Sequence, residues 1–70
     1  MTERYELQII TKEGQDFRLP FGTEAMARQA YASTIMFVDK HEVEEVSLHD
    51  LQESTTLETW IPAAPAVTKI

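Results

Sequence analysis

Tyr5-Glu6-Leu7-Gln8-Ile9-Ile10-Thr11-Lys12-Glu13-Gly14-Gln15-Asp16-Phe17-Arg18-Leu19-Pro20-Phe21 is the stretch on which the fold turns. Tyr5, Leu7 and Ile9 alternate with Glu6 and Gln8, and Phe17, Leu19 and Phe21 repeat the pattern on the far side of a polar centre. A period of two is the mark of a half-buried strand, because successive side chains of an extended chain point to opposite faces. Within the centre only Gly14 takes a left-handed backbone without steric cost, so a three-residue loop Lys12-Glu13-Gly14 is expected, a type I turn followed by a bulge. That loop sets Ile9 opposite Phe17, Leu7 opposite Leu19 and Tyr5 opposite Phe21, all six on one face. Pro20 has no N–H to give to a neighbour, so the second strand is read as an edge or as ending there.

Beyond this hairpin Gly22 breaks the strand, Thr23 is placed to cap a helix, and Glu24 lies in the first turn, where the helix dipole favours an acid. The helix is expected to run to about Asp39. Met26, Ala27, Ala30, Tyr31, Thr34, Phe37 and Val38 share one face of it, flanked by Ile35, which suits packing on a sheet. Arg28 and Gln29 lie on the other side with Ala25, Ala32 and Met36, a smooth patch.

A second hairpin follows. Val46 and Leu48 alternate with Glu45, Ser47 and His49, and Leu57, Thr59 and Ile61 alternate with Glu58 and Trp60. A loop over Gln52 to Thr55 would pair Val46 with Ile61 and Leu48 with Thr59 inside, and Ser47 with Trp60 and His49 with Glu58 outside. This loop has no Gly or Asn to hold its register. The sum is an α+β domain over residues 1–61 of order β-β-α-β-β, one four-stranded antiparallel sheet with a helix packed on one face, its strand order open. Residues 62–70, with Pro62 and Pro65, read as an extended tail. The other sheet face, with Glu6, Gln8, Ile10, Arg18, Glu45, Ser47, His49, Glu58 and Trp60, has no second layer within this chain.

Size and charge bound the function. A chain of 70 residues buries only about 60% of its unfolded surface, and short chains commonly add disulfides, a metal or self-association. There is no cysteine, so self-association is the expected supplement and a reducing, cytoplasmic setting is expected. The N-terminus is too polar for a secretory signal peptide, and the longest apolar run, Ile35 to Val38, is far too short to span a bilayer. Twelve acids against six bases, a net charge of −6, repel phosphate backbones and anionic lipid and allow a basic protein partner. From Asp39 to Glu58 the charge is concentrated: Asp39, Glu42, Glu44, Glu45, Asp50, Glu53 and Glu58 face a single Lys40.

No motif for chemistry emerges. His41 falls in a turn and His49 on a strand, without the spacing or cysteines of a metal site. Ser33, Ser47 and Ser54 lack a neighbouring base and orienting group, a Glu45–Glu58 pair on an open sheet lacks a cleft, and two glycines cannot form a phosphate-binding loop. Trp60 on an open face would suit base stacking, but its neighbours are acidic, whereas nucleic-acid platforms are basic. A large amphipathic ring on an uncovered sheet suits a protein contact instead.

The reading is a non-catalytic protein-interaction module without cofactor or metal, self-associating as a homodimer. Its partner-binding residues are expected to be Trp60, His49, Glu58, Ser47, Arg18 and Ile10. The alternative is an acidic inhibitor that imitates nucleic-acid phosphates, as phages and other mobile elements make. In architecture alone the chain resembles many small proteins of bacteria and their phages. Placed on strands, however, the seven acids do not form one stripe.

Overall fold

The computed structural model describes residues 3–62, so all of the expected tail except Pro62 lies outside the described residues. The elements are β1 (Tyr5–Thr11), β2 (Asp16–Phe21), α1 (Glu24–Phe37), β3 (Val43–Asp50) and β4 (Thr55–Trp60). They form one antiparallel sheet of order β2-β1-β3-β4, so the α+β fold of order β-β-α-β-β is the observed one and β2 is an edge.

The first hairpin has the register read from its sequence: Tyr5 with Phe21, Leu7 with Leu19, Ile9 with Phe17. Gly14 adopts φ +94°, where a side chain would be strained. Its N–H donates to the Thr11 carbonyl at 3.0 Å, and the Thr11 N–H donates to the Gln15 carbonyl at 2.9 Å. Thr11 and Gln15 are therefore a hydrogen-bonded pair, and in an antiparallel ladder such pairs alternate with non-bonded ones. It follows that Phe17, Leu19 and Phe21 turn their backbone polar groups toward β1, while Asp16, Arg18 and Pro20 turn theirs to the open edge. Pro20 lacks its N–H at a position where no strand among the described residues waits to receive it.

Thr23 caps α1, its Oγ1 accepting the Met26 N–H at 3.3 Å, and Glu24 pairs with Arg28 one turn on at 2.7 Å. The helix stops at Phe37, short of the expected Asp39, because Val38 is already extended (ψ 155°). Asp39 instead accepts the His41 N–H at 2.9 Å in the turn that follows. To join β2 to β3 the helix must cross β1, so it lies mainly over the two central strands. There Tyr5, Leu7, Ala27, Val43, Val46 and Leu48 are buried, with Phe21, Ala30, Tyr31, Ile35, Val38, Leu57 and Trp60 packed around them. Ala27 has no exposed surface, and its small side chain lets the helix sit close to the sheet.

The covered stripe is narrower than the apolar face read from the sequence. Met26 and Phe37, expected to face the sheet, are 60% and 80% exposed, because a single helix over two central strands seats only its central rows. The same geometry leaves β2 half uncovered on the helix side, with Phe17 48% and Leu19 44% exposed.

The second hairpin corrects the sequence reading. Its loop is Leu51–Ser54, and its pairs are Asp50 with Thr55, His49 with Thr56, Leu48 with Glu58, Ser47 with Thr59 and Val46 with Trp60. Leu57 is the extra residue of a bulge opposite Leu48 and His49. One extra residue reverses the facing of everything beyond it. Trp60 and Glu58 therefore lie on the helix side and Thr59 on the open side, the reverse of the expected arrangement. A second bulge, where β1 shifts between Ile10 and Thr11, leaves Glu44 unpaired and turns both Val43 and Val46 inward. In each case a lost ladder pairing is offset by apolar burial: an indole stands opposite Val46, against the cluster of Leu7, Val43 and Val46, where a threonine would otherwise stand.

Candidate functional site

The open face is a polar layer. Glu6, Gln8 and Ile10 of β1, Asp16 and Arg18 of β2, Glu45, Ser47 and His49 of β3, and Thr56 and Thr59 of β4 occupy it, as the pairings require. A shallow, open depression of about 260 Å³ lies at one end, bordered by Glu6, Gln8, Arg18, His49, Thr56 and the β3–β4 loop. One hydrogen-bonded chain runs across all four strands of this face. Gln8 Nε2 donates to both Asp16 oxygens at 3.2 Å, which leaves its Oε1 to accept from His49 Nε2–H at 2.8 Å. His49 Nδ1 then meets the Thr56 hydroxyl at 3.0 Å.

Its order, hydroxyl, imidazole, amide, carboxylate, resembles a catalytic relay but differs at the amide. An amide does not take up a proton, and it holds the carboxylate away from the ring, so Asp16 cannot stabilise an imidazolium by direct contact. What the chain does achieve is a fixed tautomer and a locked ring. Asp16 also accepts from Arg18 Nη2 at 3.1 Å and Nε at 3.3 Å, and Arg18 reaches Glu6 at 3.5 Å. The guanidinium first, and the Gln8 amide second, hold the Asp16 carboxyl below the usual carboxylate range, while Asp16 raises Arg18.

Of the six residues expected to meet a partner, His49, Arg18 and Ile10 are on the open face with part of their surface accessible. Ser47 is there too, but only 1% exposed: it is flanked by Gln8 and Thr59 and donates to Glu45 at 2.7 Å, so it cannot touch a partner without rearrangement. Trp60 and Glu58 are not on this face at all. Trp60 is half-buried against the core, and Glu58 accepts from Arg28 Nη1 of the helix at 3.1 Å, tying α1 to β4. Glu58 also raises the Tyr31 phenol, whose shift comes first from burial. The expected His49–Glu58 pair is replaced by His49–Thr56, because the bulge separates them.

The acidic stretch disperses in space. Asp50, 6% exposed, takes a bidentate pair from Arg4 (3.0 and 2.9 Å) and accepts the Gln52 and Glu53 N–H groups of its own turn. Arg4, then burial acting against it, then those backbone donors set the Asp50 carboxyl, with a net shift below the usual range. Glu58 is engaged by Arg28, Asp39 by the backbone of its turn, and Glu45 by Ser47. Among the described residues no group of three or more His, Cys, Asp or Glu side chains is arranged to hold a metal ion. No helix among them is long and apolar enough to cross a membrane.

The residues that the sequence does not point to as accessible are Phe17 and Leu19 on the β2 edge. Both lie on the apolar face expected for them, yet they are nearly half exposed on the helix side, with Asp16 and Arg18 on the opposite side of the same strand. The available signal was Pro20, which marked this strand as an edge. The chain matches no protein-family model, no curated protein and no solved structure, so its function is argued from this geometry alone.

Proposed function

We propose that this domain is a non-catalytic protein-interaction module that self-associates. The observation that carries the reading is the half exposure of Phe17 and Leu19 side by side on an unpaired edge strand. Adjacent large apolar groups on an edge gain from being covered, and the backbone groups between them have no partner within the described residues. The small core adds to the argument. Six apolar residues are buried among those described, little for a domain whose stability falls at about 0.05–0.15 kcal/mol per residue. A cytoplasmic setting fits a chain without cysteine.

The acidic-inhibitor alternative has less behind it, because Asp50 and Glu58 are neutralised by Arg4 and Arg28. A phosphate mimic needs its acids unpaired and aligned.

Sedimentation equilibrium from low micromolar to millimolar concentration tests the proposal. A mass that rises from one to two chains is the expected result. A strict monomer across the whole range refutes self-association.

A further inference from the structure

We infer that the partner is a second copy of this chain, joined β2 to β2 in antiparallel fashion about a two-fold axis at Phe17, giving a continuous eight-stranded sheet. The inference rests on the self-association reading and adds to it a surface, a symmetry and a register.

The edge chooses among registers by two independent features. Only Asp16, Arg18 and Pro20 present backbone groups outward, and Pro20 has no N–H. An antiparallel two-fold centred on Phe17 sets Asp16 of each copy opposite Arg18 of the other, so both outward residues with intact N–H groups exchange hydrogen bonds with their opposite number. The same register places a carboxylate across from a guanidinium twice, on the open face. Shifting the axis to Arg18 sets arginine against arginine and Asp16 against the N–H-less Pro20. Shifting it to Asp16 sets acid against acid. Either shift loses the charge match.

The helix-side surface agrees with this choice. With the axis at Phe17, the two Phe17 rings meet as a close, non-hydrogen-bonded pair, and each Leu19 lies diagonal to the other copy's Phe17. The four half-exposed apolar side chains then form one strip between the two helices. The opposite edge, β4, is a poorer surface for pairing because its bulge at Leu57 distorts the strand.

Because the chain has no cysteine, a single introduced thiol reports on the axis. Opposed residues of a non-hydrogen-bonded pair have Cα atoms about 4.5 Å apart, within disulfide range. Under mild oxidation Phe17→Cys is expected to cross-link to a dimer rapidly. Leu19→Cys, whose two copies would lie about four residues apart along the strands, roughly 13 Å, is expected to remain largely uncross-linked. A wild-type dimer in which Phe17→Cys cross-links no faster than Leu19→Cys overturns this surface while leaving self-association standing. A wild-type monomer at all concentrations overturns both.

Charge reversal supplies a check that leaves the phenylalanine in place. Arg18→Glu is expected to weaken dimerisation by about ten-fold or more through two like-charge contacts, and adding Asp16→Lys to restore it. A dimerisation constant unchanged in Arg18→Glu, or unrestored in the double variant while both remain folded by circular dichroism, overturns the register.

Discussion

Replacing Trp60 with alanine tests the least expected feature of the fold, the reversal of β4 at its bulge. Trp60 packs from the helix side against the cluster formed by Leu7, Val43 and Val46, while Thr59 opposes Ser47 on the polar side. A fully buried Trp→Ala change costs about 3–5 kcal/mol, and the partial exposure of Trp60 brings this to about 2–3 kcal/mol. Thr59→Ala removes a hydroxyl and a methyl from the polar layer and should cost under about 1 kcal/mol. For a domain this small each kcal/mol lowers Tm by about 4–8 °C, so Trp60→Ala should melt on the order of 10–20 °C below the wild type. Urea unfolding followed by far-ultraviolet circular dichroism measures both variants without relying on the lost tryptophan. Were Thr59→Ala the more damaging of the two, with Trp60→Ala within about 0.5 kcal/mol of wild type, β4 would have the unbulged register and the reasoning would be refuted.

Asp50 gives a pH prediction. Its carboxyl titrates below the usual range when folded, so its contribution is fully present above the unfolded value near 4 and is lost as pH falls through the folded one. Asp50→Asn should lower Tm at neutral pH, and the gap from wild type should shrink as pH is brought from about 5 to about 2. A gap that stays constant over that range removes Asp50 from the acid response. Ser54 closes the β3–β4 loop at φ 56°, a left-handed conformation that a side chain disfavours. Ser54→Gly should stabilise by about 0.5–1 kcal/mol, relief of strain exceeding the entropy glycine adds to the unfolded chain. A lower melting temperature for Ser54→Gly would count against that strain.

Much of the fold was legible because local chemistry and hydrophobic pattern pointed the same way. In the first hairpin Gly14 selected the turn and the turn selected the register, so Tyr5, Leu7 and Ile9 met their observed partners. Thr23 and Glu24 likewise announced the start of α1. The second hairpin was less legible because no residue of its loop demands one turn type: Asp50 organises it by accepting from Gln52 and Glu53, an arrangement that many sequences share. Without a fixed turn, period-two reading carried Leu57, Thr59 and Ile61 inward and missed a bulge that leaves no local trace.

The sequence by itself determined the elements, their order, the edge character of β2 and the absence of any thiol chemistry, since each depends on neighbours a few residues apart. Only the tertiary structure decided which strand adjoins which, that Trp60 is half-buried against the core and Ser47 is covered, and that Phe17 and Leu19 are left half bare. Those outcomes depend on where one short helix comes to rest on a sheet wider than itself. A helix that must cross β1 to reach β3 covers the central strands and leaves Phe17 and Leu19 at the β2 edge half exposed.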